Sequence, residues 1–313
     1  MNEIAFQTPN LVWDGTIAIY LFLLGISSGA VQLAIAYRNT SGIKINKPSE
    51  NWVIRSAVIL GTVPTLIGLT LLIFHLARPW TFWKLMFNYQ FNSVMSMGVM
   101  LFQIYMATLV VWSVIMFKDW IIPRLKFTEP LIQLAEKFLK PIEVLLFVLA
   151  AVLGAYTGFL LSALISYPML NNPVLPALFL ASGTSSGIAA TFLMILLAGK
   201  LAGDSHEVHF IHKFEVPIMV TELGLLVCFF VGLYFGGGQK LLALQNALSG
   251  FWGWIFWVGV FFIGILIPLV ANIFASHKWK YNRRFIILVS IFDLIGVLCL
   301  RYFILYAGQA TIA

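Results

Sequence analysis

The sequence predicts an all-α integral membrane protein with eight transmembrane helices, and three observations carry that prediction. Hydrophobic residues fill 61% of the 313 positions and charged residues only 10%, against about 25% charged residues in soluble chains. The mean hydropathy is +0.95. The apolar residues gather in eight windows, residues 14–37, 52–76, 92–116, 141–165, 174–198, 216–236, 251–275 and 285–308, each long enough for a helix to cross a bilayer core. They use up most of the chain and leave no room for a soluble catalytic domain. The expected organisation is one polytopic domain over 1–313, holding two four-helix bundles.

The first window has no Lys or Arg before Arg38 and is too long for the apolar core of a cleavable signal, so it reads as a permanent span. The net charge of +7 would suit nucleic acid, but its placement follows the membrane instead. Arg38, Lys44, Lys47 and Arg55 follow the first window; Lys118, Arg124, Lys126, Lys137 and Lys140 follow the third; Lys200 and Lys213 follow the fifth; Lys278, Lys280, Arg283 and Arg284 follow the seventh. Only Arg78, Lys84, Lys240 and Arg301 lie elsewhere. The positive-inside bias then puts both termini outside the cytoplasm, and no nucleic-acid partner is expected.

Taken in order, the first window carries Tyr20 and the small-residue patch Gly25-Ile26-Ser27-Ser28-Gly29. The second ends in His75-Leu76-Ala77-Arg78-Pro79-Trp80-Thr81-Phe82-Trp83-Lys84, placing an imidazole and a guanidinium one turn apart where a membrane helix meets water. His75 is the one histidine of five inside an apolar window. The mixed-charge link 117–140 reads as a short interfacial helix on the cytoplasmic side. The fourth window carries Glu143 near its start and Tyr156-Thr157-Gly158 past its middle. Ser166 to Pro173 is an uncharged, ordered outer loop. The fifth repeats the small-residue patch as Gly183-Thr184-Ser185-Ser186-Gly187. Small residues spaced this way let helices approach closely. Their recurrence fits either a duplication of halves 1–165 and 174–313 or two unrelated packing patches.

His206, His209 and His212 fall before the sixth window, in what reads as a polar loop and not a metal site. Glu215 then caps the sixth span while Glu222 is buried within it, although their spacing of two helical turns could also begin a proton path from the cytoplasm. Gly236-Gly237-Gly238 is a turn. The eighth window carries Asp293 and Arg301, the latter about 24 Å above the inner edge. Cys228 and Cys299 sit inside spans with no pairing or ligand pattern. Two thiols cannot hold an iron–sulfur cluster, which needs about four, and a single intramembrane histidine cannot supply a bis-histidine haem.

By depth, Tyr20, His75, Arg78, Tyr156 and Arg301 share the outer half of the membrane. Such a layer offers what a quinone headgroup needs. Histidine titrates near neutrality and can move protons, Tyr and Arg donate hydrogen bonds, and apolar walls accept the tail. His75, Tyr156, Arg301 and Glu222 are the candidates for the redox chemistry, with Tyr20, His75, Arg78, Tyr156 and Arg301 contacting the quinol. Each also has an ordinary structural reading: His75 as an interfacial anchor, the tyrosines as packing aromatics, Arg301 as half of a buried ion pair. Without haem or cluster ligands, electrons from a quinol must leave directly to a partner docked at the outer face.

The His75–Lys84 stretch resembles a hallmark of the NrfD/PsrC family of quinone-reactive membrane subunits. So do Tyr156-Thr157-Gly158-Phe159-Leu160-Leu161-Ser162, the Tyr167-Pro168 to Gly187 stretch, and Arg301-Tyr302-Phe303-Ile304-Leu305-Tyr306-Ala307-Gly308-Gln309. The opening Leu11-Val12-Trp13-Asp14-Gly15-Thr16-Ile17-Ala18-Ile19-Tyr20-Leu21-Phe22 and Asn92-Ser93-Val94-Met95-Ser96-Met97-Gly98 are most similar to its nitrite-reducing branch. The resemblance implies oxidation of menaquinol at a periplasm-facing site. It also implies a ferredoxin-like iron–sulfur partner, then multihaem cytochromes that reduce nitrite. The family residues tied to quinone chemistry match Tyr20, Tyr156, Glu222 and Arg301, with Glu215 where an aspartate stands. An acidic residue that some polysulfide reductases carry on the second span has no counterpart between Trp52 and His75. The alternatives are a polysulfide, thiosulfate or tetrathionate reductase subunit, or a secondary transporter built on Glu222, Asp293 and Arg301.

Overall fold

The computed structural model describes residues 13–43, 45, 47–76, 78–199 and 201–311. Of the residues singled out above, Leu11, Val12, Lys44, Ala77 and Lys200 lie outside them. Eight long apolar helices cross the bundle: α1 Gly15–Thr40, α2 Trp52–His75, α3 Val94–Met116, α4 Leu139–Ser162, α5 Leu175–Ala198, α6 His206–Phe235, α7 Gly250–Phe274 and α8 Arg283–Gln309. No β-strand occurs among the described residues. Their lengths of 23 to 30 residues, at about 1.5 Å per residue, cover the roughly 30 Å of hydrocarbon that a membrane presents.

Side chains cap the helix starts where the sequence offers them. Asp14 accepts from Thr16 N at 3.0 Å before α1, Asn51 from Val53 N at 3.0 Å before α2, and Asn282 from Arg284 N at 3.0 Å before α8. Such caps satisfy amide donors that a helix start leaves unpaired.

The expected start of α6 near residue 216 is corrected. Ser205 caps the helix and α6 begins at His206, so the presumed histidine loop forms its first turns. Pro217 did not stop it, because a proline removes one ladder donor while the polar residues before it are tolerated where a helix leaves the membrane. A second helix, Gly238–Leu248, follows the glycine turn and was not predicted. Gly237 and Gly238 supply that turn with φ of 60° and 50°, a region side chains disfavour. The link 117–140 does hold short helices, Lys118–Ile121 and Glu129–Lys137. Within α7, Ile255–Leu266 is wound as a π-helix, and its Gly264 packs against Gly296 of α8 so closely that a Cβ on either would strike the other's Cα.

α1 and α5 are the most enclosed helices, and the two G-x-S-S-G patches are where they cross. An added Cβ on Gly25 would lie 3.1 Å from Gly183 Cα, and one on Gly29 would overlap the Gly183 carbonyl. The serines tie this crossing to its neighbours. Ser27 Oγ donates to Gly61 O of α2 at 2.7 Å, Ser28 Oγ to Ala150 O of α4 at 2.7 Å, and Ser185 Oγ to Asp293 of α8 at 3.0 Å. These bonds reach α2 and α4 from α1 and α8 from α5, and α4 also packs against α5. The chain ends meet: Gln309 Nε2 donates to Trp13 O at 2.9 Å and Trp13 N to Gln309 Oε1 at 3.0 Å.

Candidate functional site

A cavity of about 300 Å³ opens among α1, α2, α3 and α4. Its walls are apolar: Leu69, Leu72 and Ile73 from α2, Met95, Val99, Phe102 and Met106 from α3, and Leu160 from α4, with Leu76, Phe82, Leu85 and Met86 from the α2–α3 connection. Three polar side chains reach it, Tyr20, Tyr156 and Gln103. Apolar walls with a few placed polar groups are the usual makeup of a small-molecule site.

Tyr20 is fully buried, and its hydroxyl has no hydrogen-bond partner among the described residues. The ring is admitted by Gly68, where a Cβ would come within 3.3 Å of it. Phe102 lies between the two tyrosines, 6.3 Å from the Tyr20 ring and edge-on to Tyr156 at 6.1 Å. Tyr156 in turn rests on Gly98, where an added Cβ would fall on its hydroxyl. A buried hydroxyl without a partner costs about 1–3 kcal/mol. Because Tyr20 is among the residues lining the cavity, its unpartnered hydroxyl is a candidate donor to a bound oxygen.

The remaining candidates lie elsewhere. His75 does not line the cavity; its Nδ1 faces Asp14 Oδ1 at 3.7 Å, and both side chains are partly exposed. Arg78 is exposed on the connection that follows. Arg301 has no solvent exposure and sits at the α1–α5–α8 junction. Its Nη2 donates to Ser182 Oγ at 2.8 Å and Phe179 O at 3.2 Å, and its guanidinium lies 3.8 Å from the Phe179 ring centroid. Nε and Nη1 lack partners among the described residues. Glu222 is buried within electrostatic reach of Arg301 and Asp293. The candidate residues therefore divide in two. Tyr20 and Tyr156 share the cavity, while Arg301 and Glu222 form a separate buried polar group behind α1.

Two expectations about the sixth span are overturned. Glu215 is not an exposed cap: it is buried, accepting from Asn272 Nδ2 at 2.8 Å and pairing with His212 Nδ1 at 2.6 Å. His212 is buried as well, packed against Phe192 with ring centroids 4.9 Å apart. His75, on the other hand, is exposed. The histidine enclosed within a span is thus His212, because α6 begins earlier than its apolar window. His209 pairs with Asp204 at 2.7 Å, and no grouping of three or more metal-binding side chains occurs among the described residues.

Gln103, Gly98 and Phe102 were missed. Gln103 had a readable signal, an amide well inside an apolar window. Gly98 stood in the Asn92–Gly98 motif without a role read for it, and Phe102 had no signal, because their importance comes from which helix they face.

Comparison with known proteins covers nearly the whole sequence. The family model described as "Polysulphide reductase, NrfD" matches residues 3–313. The protein is 77% identical to the protein NrfD homolog of Haemophilus influenzae, over 99% of its own length and 98% of that relative. It is 45% identical to protein NrfD of Escherichia coli over 99% and 98% of the two lengths. It is 38% identical to the C component of the polysulfide reductase of Wolinella succinogenes over 98% and 97%. The protein belongs to the polysulphide reductase NrfD family and is a multi-pass protein of the inner membrane.

Proposed function

We propose that the α1–α4 cavity binds menaquinol from the bilayer and that the protein oxidises it on the periplasmic side. The observation that carries the reading is the unpartnered Tyr20 hydroxyl on an apolar cavity of about 300 Å³ also lined by Tyr156. A quinol fits that chemistry: its fused rings and tail match the apolar walls, and its two ring oxygens can pair with tyrosine hydroxyls. Oxidation releases two electrons and two protons. Tyr20 and Tyr156 hold the ring oxygens. His75, beside the lining Leu76 and facing Asp14, is assigned proton acceptance at the rim. Arg301 and Glu222 are assigned an electrostatic part, since neither lines the cavity.

In this reading both termini are periplasmic, supported by the basic residues gathered at the opposite helix ends. Electrons pass to a periplasmic ferredoxin-like iron–sulfur subunit and on to multihaem cytochromes that reduce nitrite, as the resemblance of the opening segment and of Asn92–Gly98 to the nitrite-reducing branch implies; the 77% and 45% identical relatives both carry the NrfD name. The 38% identical relative favours a second reading, delivery of electrons to a polysulfide reductase.

The test is titration of the purified protein with a fluorescent hydroxyquinoline N-oxide analogue of menaquinol. Quenching is expected, and it should weaken in Tyr20→Phe and Tyr156→Phe. An analogue that does not bind the wild type, or binds both variants equally well, overturns the proposal. Reconstitution with the iron–sulfur partner and either nitrite-reducing cytochromes or a polysulfide reductase separates the two destinations.

A further inference from the structure

The connection between α2 and α3 does not sit on top of the bundle. Gln103 lies nine residues into α3 from Val94, about 13 Å along the helix axis. Even so, its Nε2 donates to Met86 O at 3.1 Å, and its Oε1 accepts from the Tyr89 hydroxyl. Nearer the helix start, Gln90 N donates to Ser96 Oγ at 2.8 Å. Residues 82–91 are therefore folded down along the outer half of α3. Their inner edge, Phe82, Leu85 and Met86, forms part of the cavity wall. Their outer edge is apolar and bare, with Phe87 77% and Phe91 72% exposed, as suits a surface against acyl chains. Helices α2 and α3 touch only sparsely, so this segment fills the gap between them.

We infer that residues 82–91 are a flap over a bilayer-side portal, that Gln103 is the latch holding it shut, and that a lipid-soluble ligand enters the cavity through this gap. Identifying that ligand as a quinol rests on the function proposed above; the latch does not. Gln103 suits the task because its amide offers a donor and an acceptor together, and both are spent on the flap. Those are the two polar contacts that hold the flap beside the deep part of α3. A ligand oxygen arriving in the cavity can compete for the same amide, so Gln103 acts as a positioning residue for the flap and sets ligand exchange.

Rapid-mixing fluorescence with the hydroxyquinoline N-oxide analogue reads the exchange rates. In Tyr89→Phe, association and dissociation are both expected to speed up by about fivefold, the effect of one hydrogen bond. Gln103→Leu removes both bonds and should exceed this. Tyr20→Phe, by contrast, should raise dissociation alone. A second measurement needs no quinone. In a Cys228→Ala/Cys299→Ala background, Met106→Cys on the cavity wall is labelled with a membrane-permeant maleimide. The labelling rate should rise with Gln103→Leu and with Tyr89→Phe. Faster labelling together with no analogue binding in the wild type would retain the latch and remove the quinol reading. Labelling and exchange rates unchanged in both variants overturn the latch, as does a change confined to dissociation.

Discussion

Replacing Tyr20 by Phe should move stability and binding in opposite directions by similar amounts. The Tyr20 hydroxyl is fully enclosed and unpartnered among the described residues, and such a group destabilises the folded state by about 1–3 kcal/mol. Phe keeps the ring, its contact with Phe102 and its fit over Gly68, and removes only that oxygen. The ligand-free variant should therefore be more stable than wild type by about 1–3 kcal/mol. On the proposed function, a bound ligand oxygen in the wild type would satisfy the hydroxyl and remove the same penalty, making that increment part of the binding free energy. The variant loses it, and affinity should fall by roughly 5- to 150-fold. The liganded forms should then be nearly equal in stability. The assay is thermal unfolding of the detergent-purified proteins with and without the quinol analogue, together with equilibrium quenching titrations. A ligand-free variant less stable than wild type, or one with unchanged affinity, would refute the assignment of Tyr20 as a waiting donor.

Gly98→Ala places a methyl where the Tyr156 hydroxyl now lies; displacing the ring into the cavity should cost about 1–3 kcal/mol of stability and abolish analogue binding, checked by the same two assays. Gly29→Ala sets a Cβ against the Gly183 carbonyl and 2.8 Å from Thr184 Cα, and backbone cannot yield, so little monodisperse protein should survive size-exclusion chromatography. Gly224→Ala meets nothing within 4 Å and should fold normally, stabilising its helix by up to about 1 kcal/mol. Arg301→Met removes a buried cation within electrostatic reach of Glu222, together with its bonds to Ser182 Oγ and Phe179 O, and should lower stability, part of which Glu222→Gln restores. Strictly additive effects of the two substitutions on thermal unfolding would show that the two residues do not interact.

The eight spans were legible because a membrane imposes a simple demand. Every backbone polar group must be bonded within the helix, and about 20 apolar residues must follow one another. That demand says nothing about where a helix continues into water, so the polar first turns of α6 went unread. His212 and Glu215 were misplaced with them. The weakly patterned helix Gly238–Leu248 escaped for a similar reason, since it crosses nothing.

The rise per residue gave an expected depth along each helix, with Tyr20, His75, Arg78, Tyr156 and Arg301 in one outer layer. Rotation about the axis and the choice of neighbour were not readable. Tyr20 and Gly25 both lie on α1, but five residues turn the helix by roughly 140° beyond a full turn. One therefore faces α2 and α3 while the other faces Arg301. The sequence by itself determined the membrane class, the number of spans and the family through its local motifs. Only the tertiary structure decided that the tyrosines share a cavity, that Arg301 stands apart from it, and that Gln103 bonds to the α2–α3 connection. Hydropathy acts along a single strand of sequence, whereas a site is made by which faces of separate helices the glycine crossings bring together.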